Sequence, residues 1–460
     1  MSRAGRNLAA KNDKEQTVEM ESWALVMFAV AFALLLLGFP VAFTLGAVAM
    51  VFGAVFLGID FFDLLPLRIW GIMTNFTLLA VPLFVFMGVV LEKSRLADEL
   101  LETMGALFGR MRGGLAISIV VVGALLAATT GVVGATVVTL GVIALPALLK
   151  HRYHPGLATG TVAASGTLGQ IIPPSIVLIL LGDVIGVPVG ELFAGAVVPG
   201  LMLVGAFVVY ILLVAWFKPG AAPPVIPDER QHRRSLVRRV MVSALPPLLL
   251  MVAVLGSIFF GLASPTESAA VGALGAMILA VIHRRLTADA LREAVRQTTR
   301  MTSMVFLILI GATTFGLVFR GMGGDALVEA LLTDLPGGHW GFLAISMLLV
   351  FVLGFFLDFL EICFIVVPIL APIAELLGID LLWFAVLVAI NLQTSFLTPP
   401  FGFSLFYLKA AAPAGIRIGQ IYAGIIPFVI VQLVVIGLVL GYPDLALWLP
   451  GLMNDLQGFN

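Results

Sequence analysis

The stretch Ser165–Ser175, SGTLGQIIPPS, interrupts an apolar run that extends from about Leu157 to Gly186. Pro173 and Pro174 lack backbone donors and cannot continue a regular helix, while Gly166 and Gly169 loosen the turns before them. The helix is therefore expected to break near its middle. A break at membrane depth frees N–H and C=O groups that lipid cannot satisfy, so the loop must face protein or a watery cavity, where an ion or polar solute can bind. Alone, the stretch reads equally as a proline kink in a structural helix. A second apolar run is interrupted in the same way by Thr394–Phe401, TSFLTPPF, with Pro399 and Pro400 as its proline pair. Two broken helices in corresponding halves point to a secondary transporter with inverted repeats.

Composition supports a lipid environment. The chain is 61% hydrophobic and 11% charged, against roughly 45–50% and 25% in soluble domains. It reads as an all-α polytopic membrane protein with membrane lipid as its solvent. A net charge of −1 gives no case for nucleic acid, and the charges gather in short clusters between apolar runs, which are loops. The single cysteine, Cys363, excludes an intramolecular disulfide and any Cys-based metal cluster, and its apolar surroundings describe an inert thiol.

In chain order, 1–21 is a polar tail, expected to be disordered, with no apolar core and small-residue cleavage site of a signal peptide. A first repeat covers 22–217. It has spans at Trp23–Leu37 and Pro40–Leu57, an interfacial segment Asp60–Arg68, a span at about Gly71–Leu91 and the amphipathic Glu92–Arg112. The apolar segment 113–150 has a small, flexible centre, AATTGVVGA, and basic residues at both ends. The positive-inside tendency puts both ends in the cytoplasm, which a re-entrant hairpin satisfies and one span does not. The broken helix 155–186 follows, then a span at Leu192–Phe217 and a basic linker, 218–240. The second repeat, 241–442, holds spans at about Val242–Phe260 and Thr266–Ile282, a basic connector His283–Arg300, a span Met301–Phe319 and an amphipathic arm Gly321–Gly338. A hairpin at 340–379, a broken helix at 380–411 and a last span Gly415–Leu440 complete it, before a C-terminal tail, 443–460. Alternation gives about ten spans, both termini outside, and halves inverted relative to each other, with the hairpins entering from opposite faces.

The order of hairpin, KHRYHPG loop, GQIIPPSI break, basic linker, SPTESAAVGA span and NLQTSFLTPPFGFSLF resembles the large membrane subunit of TRAP transporters (tripartite ATP-independent periplasmic, DctM-like). The likeness covers about Trp23 to Gly441, and the paired Pro-Pro breaks in context are its specific part. It implies an elevator-type transporter in the bacterial inner membrane whose moving part comprises both hairpins and both broken helices. It also implies sodium coupling, a small four-helix membrane subunit and a periplasmic binding protein that delivers the solute. With no small-subunit region fused here, that subunit is expected as a separate chain.

Sodium suits these residues. A hard cation wants oxygen ligands, and a helix break supplies carbonyls that can converge without burying a full charge. The first expected shell draws on Thr129, Thr130 and Gly131 with Ser165, Gly166 and Gly169; the second on Gly354, Asp358, Asn391, Thr394, Ser395 and Thr398. The half-helix N-termini after each break present partial positive charge to an organic anion, a carboxylate by this reading. That places Pro173, Pro174 and Ser175, and Pro399, Pro400 and Phe401, against the solute.

Other roles stand beside these. Thr129 and Thr130 also fit, as the lesser reading, as hydroxyls bonded to preceding carbonyls in a packed helix. Asp358 and Glu361 read either as functional intramembrane carboxylates, including proton carriers in a proton-coupled alternative, or as lining of a vestibule. Glu267, after Ser264-Pro265-Thr266, reads as a helix N-terminal charge, and His151 and His154 as topology determinants. An intramembrane enzyme would need a nucleophile–base or metal constellation within a span, and none is found. A channel is the remaining rival, since hairpins also occur in pores.

Overall fold

The computed structural model describes residues 3–94, 96–130, 133–225, 238, 240–333 and 335–458. Among them there are helices and turns and no strands. The first half holds α1 (Arg3–Leu36), α2 (Val41–Phe56), α3 (Leu65–Met73), α4 (Ala80–Lys93), α5 (Leu96–Phe108), α6 (Gly114–Thr130), α7 (Val133–Lys150), α8 (Pro155–Thr167), α9 (Ile176–Ile185) and α10 (Val189–Phe217). The second half holds α11 (Leu245–Phe259), α12 (Pro265–Ile282), α13 (Ala288–Gly321), α14 (Gly324–Thr333), α15 (His339–Leu353), α16 (Phe359–Leu376, with a π turn at Ile362–Val366), α17 (Leu381–Leu397), α18 (Phe403–Ala411), α19 (Ile418–Gly441) and α20 (Asp444–Gln457).

Two compact units divide the chain. The first comprises Met1–Asn75, Ser303–Leu348 and Leu357–Asp380. In it α1 packs on α2, and α13 crosses α2 so closely that a methyl at Gly311 would run into the Ala42 carbonyl. The second comprises Phe76–Thr302, Leu349–Phe356 and Leu381–Asn460. Its main pairings are α4 with α12, α8 with α19, α10 with α20, and α8 with both α6 and α7. The α8–α19 crossing is built on small residues. Gly160 and Gly424 have no room for a side chain, since a methyl on Gly160 would strike the Gly424 carbonyl and one on Gly424 the Gly156 carbonyl. Close backbone approach of this kind is how helices associate where lipid removes the hydrophobic drive between them.

Several expectations need correction. The polar segment 1–21 is helical from Arg3 and continuous with the first span in α1, consistent with its content of Ala, Lys, Glu and Arg, all good helix formers. The expected span at Gly71–Leu91 is interrupted: α3 stops at Met73, where Thr74 Oγ1 turns back to the Trp70 carbonyl at 2.8 Å, and the chain resumes at Thr77. The basic connector and the span Met301–Phe319 form one helix, α13, 34 residues long, with Thr287 Oγ1 accepting from Ala290 N at 3.1 Å at its start. The C-terminal tail is helical too. α20 buries Ala446, Pro450 and Met453 and packs on α10.

About ten spans were expected; among the described residues eight helices are long and apolar enough to cross a bilayer, or nine if Ile59–Met73 and Thr77–Lys93 count as one. The difference lies partly in the broken helices, whose arms of 13 and 10, and 17 and 9, residues fall short individually of the roughly 20 a span needs. Most of the basic linker, including Arg230, Arg233, Arg234 and Arg239, lies outside the described residues.

Candidate functional site

At the first break α8 tightens into a 3-10 turn, Leu168–Gln170, and the chain passes through Pro173 and Pro174 before α9 starts. Ser175 occupies the N-cap position of α9 but does not cap it. Its Oγ donates to the Gln170 carbonyl at 2.8 Å, so the N-terminal N–H groups of α9 have no side-chain cap. At the second break α17 closes with Thr398 N donating to Ser395 O at 3.1 Å, and Gly402 N donates to Thr398 O at 3.1 Å across Pro399 and Pro400. Gly402 is the N-cap residue of α18 and offers no side chain, so this N-terminus is also uncapped. The peptide bonds Pro173–Pro174 and Pro399–Pro400 are both cis.

The structure brings the breaks together within the second unit. α17 packs against the end of α8, the turn Leu168–Gln170 and α9, while α18 packs on α7 and α8. Each hairpin sets a glycine against a serine of a broken helix. A methyl at Gly123, on α6, would lie 2.6 Å from Ser165 Cβ and 3.0 Å from its carbonyl oxygen. A methyl at Gly354, just after α15, would run into Ser395 Oγ and stand 2.7 Å from Ser395 Cβ. Gly166 faces α7, where a methyl would strike Val137, and Gly169 is buried in the turn.

The hydroxyls share one arrangement. Ser165 Oγ donates to Thr161 O at 2.6 Å, Thr394 Oγ1 to Ile390 O at 2.8 Å, Ser395 Oγ to Leu392 O at 2.9 Å and Thr398 Oγ1 to Thr394 O at 2.7 Å. Each gives its proton to its own helix, which leaves oxygen lone pairs to accept from, or coordinate, something else. That donor set fits a hard monovalent cation. Among the described residues no three His, Cys, Asp or Glu side chains gather, so cation binding here would rest on neutral oxygens. Asn391 is buried on α17. Thr129 and Thr130 close the helix α6, which packs on Leu168–Gln170; their side chains, and Gly131, lie outside the described residues.

Asp358 and Glu361 belong to the first unit and have a local task. Asp358 is the N-cap of α16, with Oδ1 accepting from Phe359 N at 2.8 Å, and Glu361 Oε2 accepts from Asp358 N at 3.0 Å, a capping box. Glu267 does the same for α12, accepting at 2.8 Å from the N–H of its N-cap Ser264. His154 caps α8, its Nδ1 accepting from Gly156 N at 3.2 Å. Of the expected solute-facing residues, Pro173, Pro174 and Ser175 are buried, Pro399 is half-buried, and Pro400 and Phe401 are exposed. The Phe401 ring tilts against Phe356 at 5.3 Å, and Tyr422 OH donates to Pro400 O at 2.8 Å.

Sequence reasoning passed over three glutamines. Gln170 ends the 3-10 turn, Gln393 lies on α17, and Gln432 lies on α19, which packs on α17. All three are fully buried, and neither carboxamide atom of any of them has a hydrogen-bond partner. A polar residue within an apolar run beside a Pro-Pro pair is the signal that could have singled out the first two.

The sequence matches the family described as "Tripartite ATP-independent periplasmic transporter, DctM component" over residues 28–445. It is 32% identical, over 84% of its length and 89% of the relative's, to the C4-dicarboxylate TRAP transporter large permease protein of Pseudomonas aeruginosa. It is 31% identical, over 91% and 96%, to the sialic acid TRAP transporter large permease protein of Vibrio cholerae. In fold it resembles the YdaH transporter of Alcanivorax borkumensis, with a TM-score of 0.62 at 16% identity, covering 91% of this chain and 98% of that one.

Proposed function

The chain belongs to the DctM-component family of tripartite ATP-independent periplasmic transporters and is a multi-pass inner-membrane protein, and from that premise we propose that it is the large permease subunit of a sodium-coupled secondary transporter for a small organic anion. The observation that carries this reading is the meeting of two broken helices in one compact unit, each with an uncapped half-helix N-terminus and a serine seated against a hairpin glycine. Uncapped N-termini favour negative charge, and a carboxylate brings it. The relatives named for C4-dicarboxylates and sialic acid support the same solute class.

Sodium would be held by Ser165 with the carbonyls of Gly166 and Gly169, and by Asn391, Thr394, Ser395 and Thr398 beside Gly354. Asp358 is left out of that shell, since its carboxylate caps α16. Solute reaches the subunit on a periplasmic binding protein, a small four-helix membrane subunit completes the membrane part, and the hairpins and broken helices carry the site across by an elevator-type movement. The function is permeation and not catalysis.

The test is uptake into proteoliposomes, at fixed pH, by this chain with its membrane partner and the solute-loaded binding protein. A sodium gradient is expected to drive concentrative uptake and a proton gradient is not; omission of either partner abolishes it. Uptake that ignores sodium, follows the proton gradient and is lost in Asp358→Asn or Glu361→Gln establishes the proton-coupled alternative instead.

A further inference from the structure

Gln170 and Gln393 each bury a whole carboxamide without a hydrogen bond; Thr161 Oγ1 on α8 and the Gln432 carboxamide on α19 are likewise buried without one, while the other hydroxyls around the two breaks are paired. The hydroxyls of Ser165, Thr167, Ser175, Thr394, Ser395 and Thr398 all donate to nearby carbonyls. Buried amides are rarely left so, because each unpaired polar atom keeps its full desolvation penalty. A glutamine that served only to pack α17 on the first break would be replaced at lower cost by Leu or Met of similar volume. The helix bearing Gln393 packs directly against the turn bearing Gln170, so these orphan amides belong to elements in contact where the two broken helices meet. The Gln170 backbone is also tied through Ser175 Oγ to the N-cap position of α9.

We infer that Gln170 and Gln393 line the solute site and that their carboxamides hydrogen-bond the solute, the Nε2–H groups donating to its carboxylate. This rests on the transporter reading above and adds to it the side chains that recognise the cargo. A carboxamide suits the task because it offers donors to an anion and an acceptor to a neighbouring hydroxyl while carrying no charge of its own. An arginine would bind a carboxylate more strongly, but it would stay charged in a buried site whenever the solute left. Site amides left unbonded by a cargo that lacks the matching group discriminate against it, so these residues also set specificity.

The experiment reads access and charge preference without transport. In the full chain carrying Cys363→Ala and reconstituted in liposomes, Gln170→Cys and Gln393→Cys are made singly and exposed to the anionic reagent sulfonatoethyl methanethiosulfonate and to the cationic trimethylammonioethyl methanethiosulfonate, with and without sodium. Rates are normalised to each reagent's reaction with a free thiol. Ser118→Cys, at a fully buried hydroxyl on α6 bonded to Met104 O and Gly114 O, is the control and is expected to stay unlabelled. Both glutamine positions are expected to react, the anionic reagent leading by about tenfold, as a site that concentrates anions requires. Ser175→Cys, a near-isosteric change at the same break, gives the same reading if a glutamine variant fails to fold. No labelling in either sodium condition, preference for the cationic reagent, or equal labelling of the Ser118 control overturns the inference. Failure of the transporter reading shows separately, as absence of sodium-driven uptake from a protein whose cysteines label as expected.

Discussion

The two breaks carry the same Pro-Pro pair in different surroundings. At the first, Gln170, Pro173, Pro174 and Ser175 are all buried, and the hairpin glycine Gly123 sits against Ser165 backbone as well as side chain. At the second, Pro400 is exposed, Phe401 is 47% exposed, and the three atoms nearest a methyl on Gly354 are two of the Ser395 side chain and a carbonyl of its own helix, Val350 O. Backbone cannot step aside within a close-packed interior, whereas truncating a serine clears both its Oγ and its Cβ; turning χ1 alone would move Ser395 Oγ but leave its Cβ at 2.7 Å. The first break is thus a fixed seat, and the second is the one that yields when its serine is truncated, with Pro400 and Phe401 exposed beside it.

The largest effects are expected where the seats are filled. Gly123→Ala forces α6 away from Ser165, and overpacking of this kind costs about 1–3 kcal/mol. Because the Ser165 carbonyl also stands in the way, at 3.0 Å, Ser165→Gly is expected to leave that loss of uptake largely unrelieved. Gly354→Ala is expected to be nearly as damaging alone but to recover most of its uptake in combination with Ser395→Gly, which removes both contacting side-chain atoms. Equal rescue at the two sites in a double-mutant cycle of uptake rates would erase the distinction between fixed and yielding seats.

Smaller effects follow from losing one oxygen. Ser165→Ala and Thr398→Val are expected to raise the sodium concentration for half-maximal uptake. Loss of one ligand is comparable to a lost buried hydrogen bond, about 1–3 kcal/mol, or roughly five- to a hundredfold in affinity. Sodium titration at fixed pH, scored for each variant, shows whether both breaks contribute. Unchanged half-saturation in both would shift the burden to backbone carbonyls.

The smallest effect is assigned to Asp358→Asn. Asparagine caps a helix about as well as aspartate, whereas Asp358→Ala removes the cap at about 0.5–2 kcal/mol. Thermal unfolding is expected to separate the alanine variant from the asparagine one, with uptake by the asparagine variant near that of the parent. Loss of uptake in Asp358→Asn at unchanged thermal stability would give the carboxylate a role in coupling.

What the sequence made legible followed from strong local rules. A Pro-Pro pair inside an apolar run removes donors and stops a helix whatever surrounds it, and in the structure α8 and its 3-10 turn end before Pro173, while α17 ends before Pro399. The polar tip between α15 and α16 could be placed because Asp358 and Glu361 interrupt an apolar stretch. Their separation is also that of an N-cap and its N3 partner, and a reading of Asp358 as a sodium ligand and of both as intramembrane carboxylates passes over the helix start they mark. The continuity of α13 is hidden in the sequence because a basic cluster reads as a loop, although basic residues form helix readily once Thr287 supplies a start. Buried orphan amides were beyond reach. Only packing shows that Gln170 and Gln393 find no partner, and which helices meet at the breaks depends on glycine contacts such as Gly160 with Gly424 that no linear pattern reveals.

In the proposed function a cation is held at both breaks and fastens the hairpins to them. Hydrogen–deuterium exchange on the reconstituted subunit tests it most directly, in sodium against potassium at equal ionic strength and pH. Sodium is expected to slow exchange in peptides spanning Ser165–Ser175 and Thr394–Gly402 and in the hairpin segments around Gly123 and Gly354, while peptides from α4 and α12 exchange alike in both salts. Identical exchange at the two breaks in sodium and potassium would contradict it.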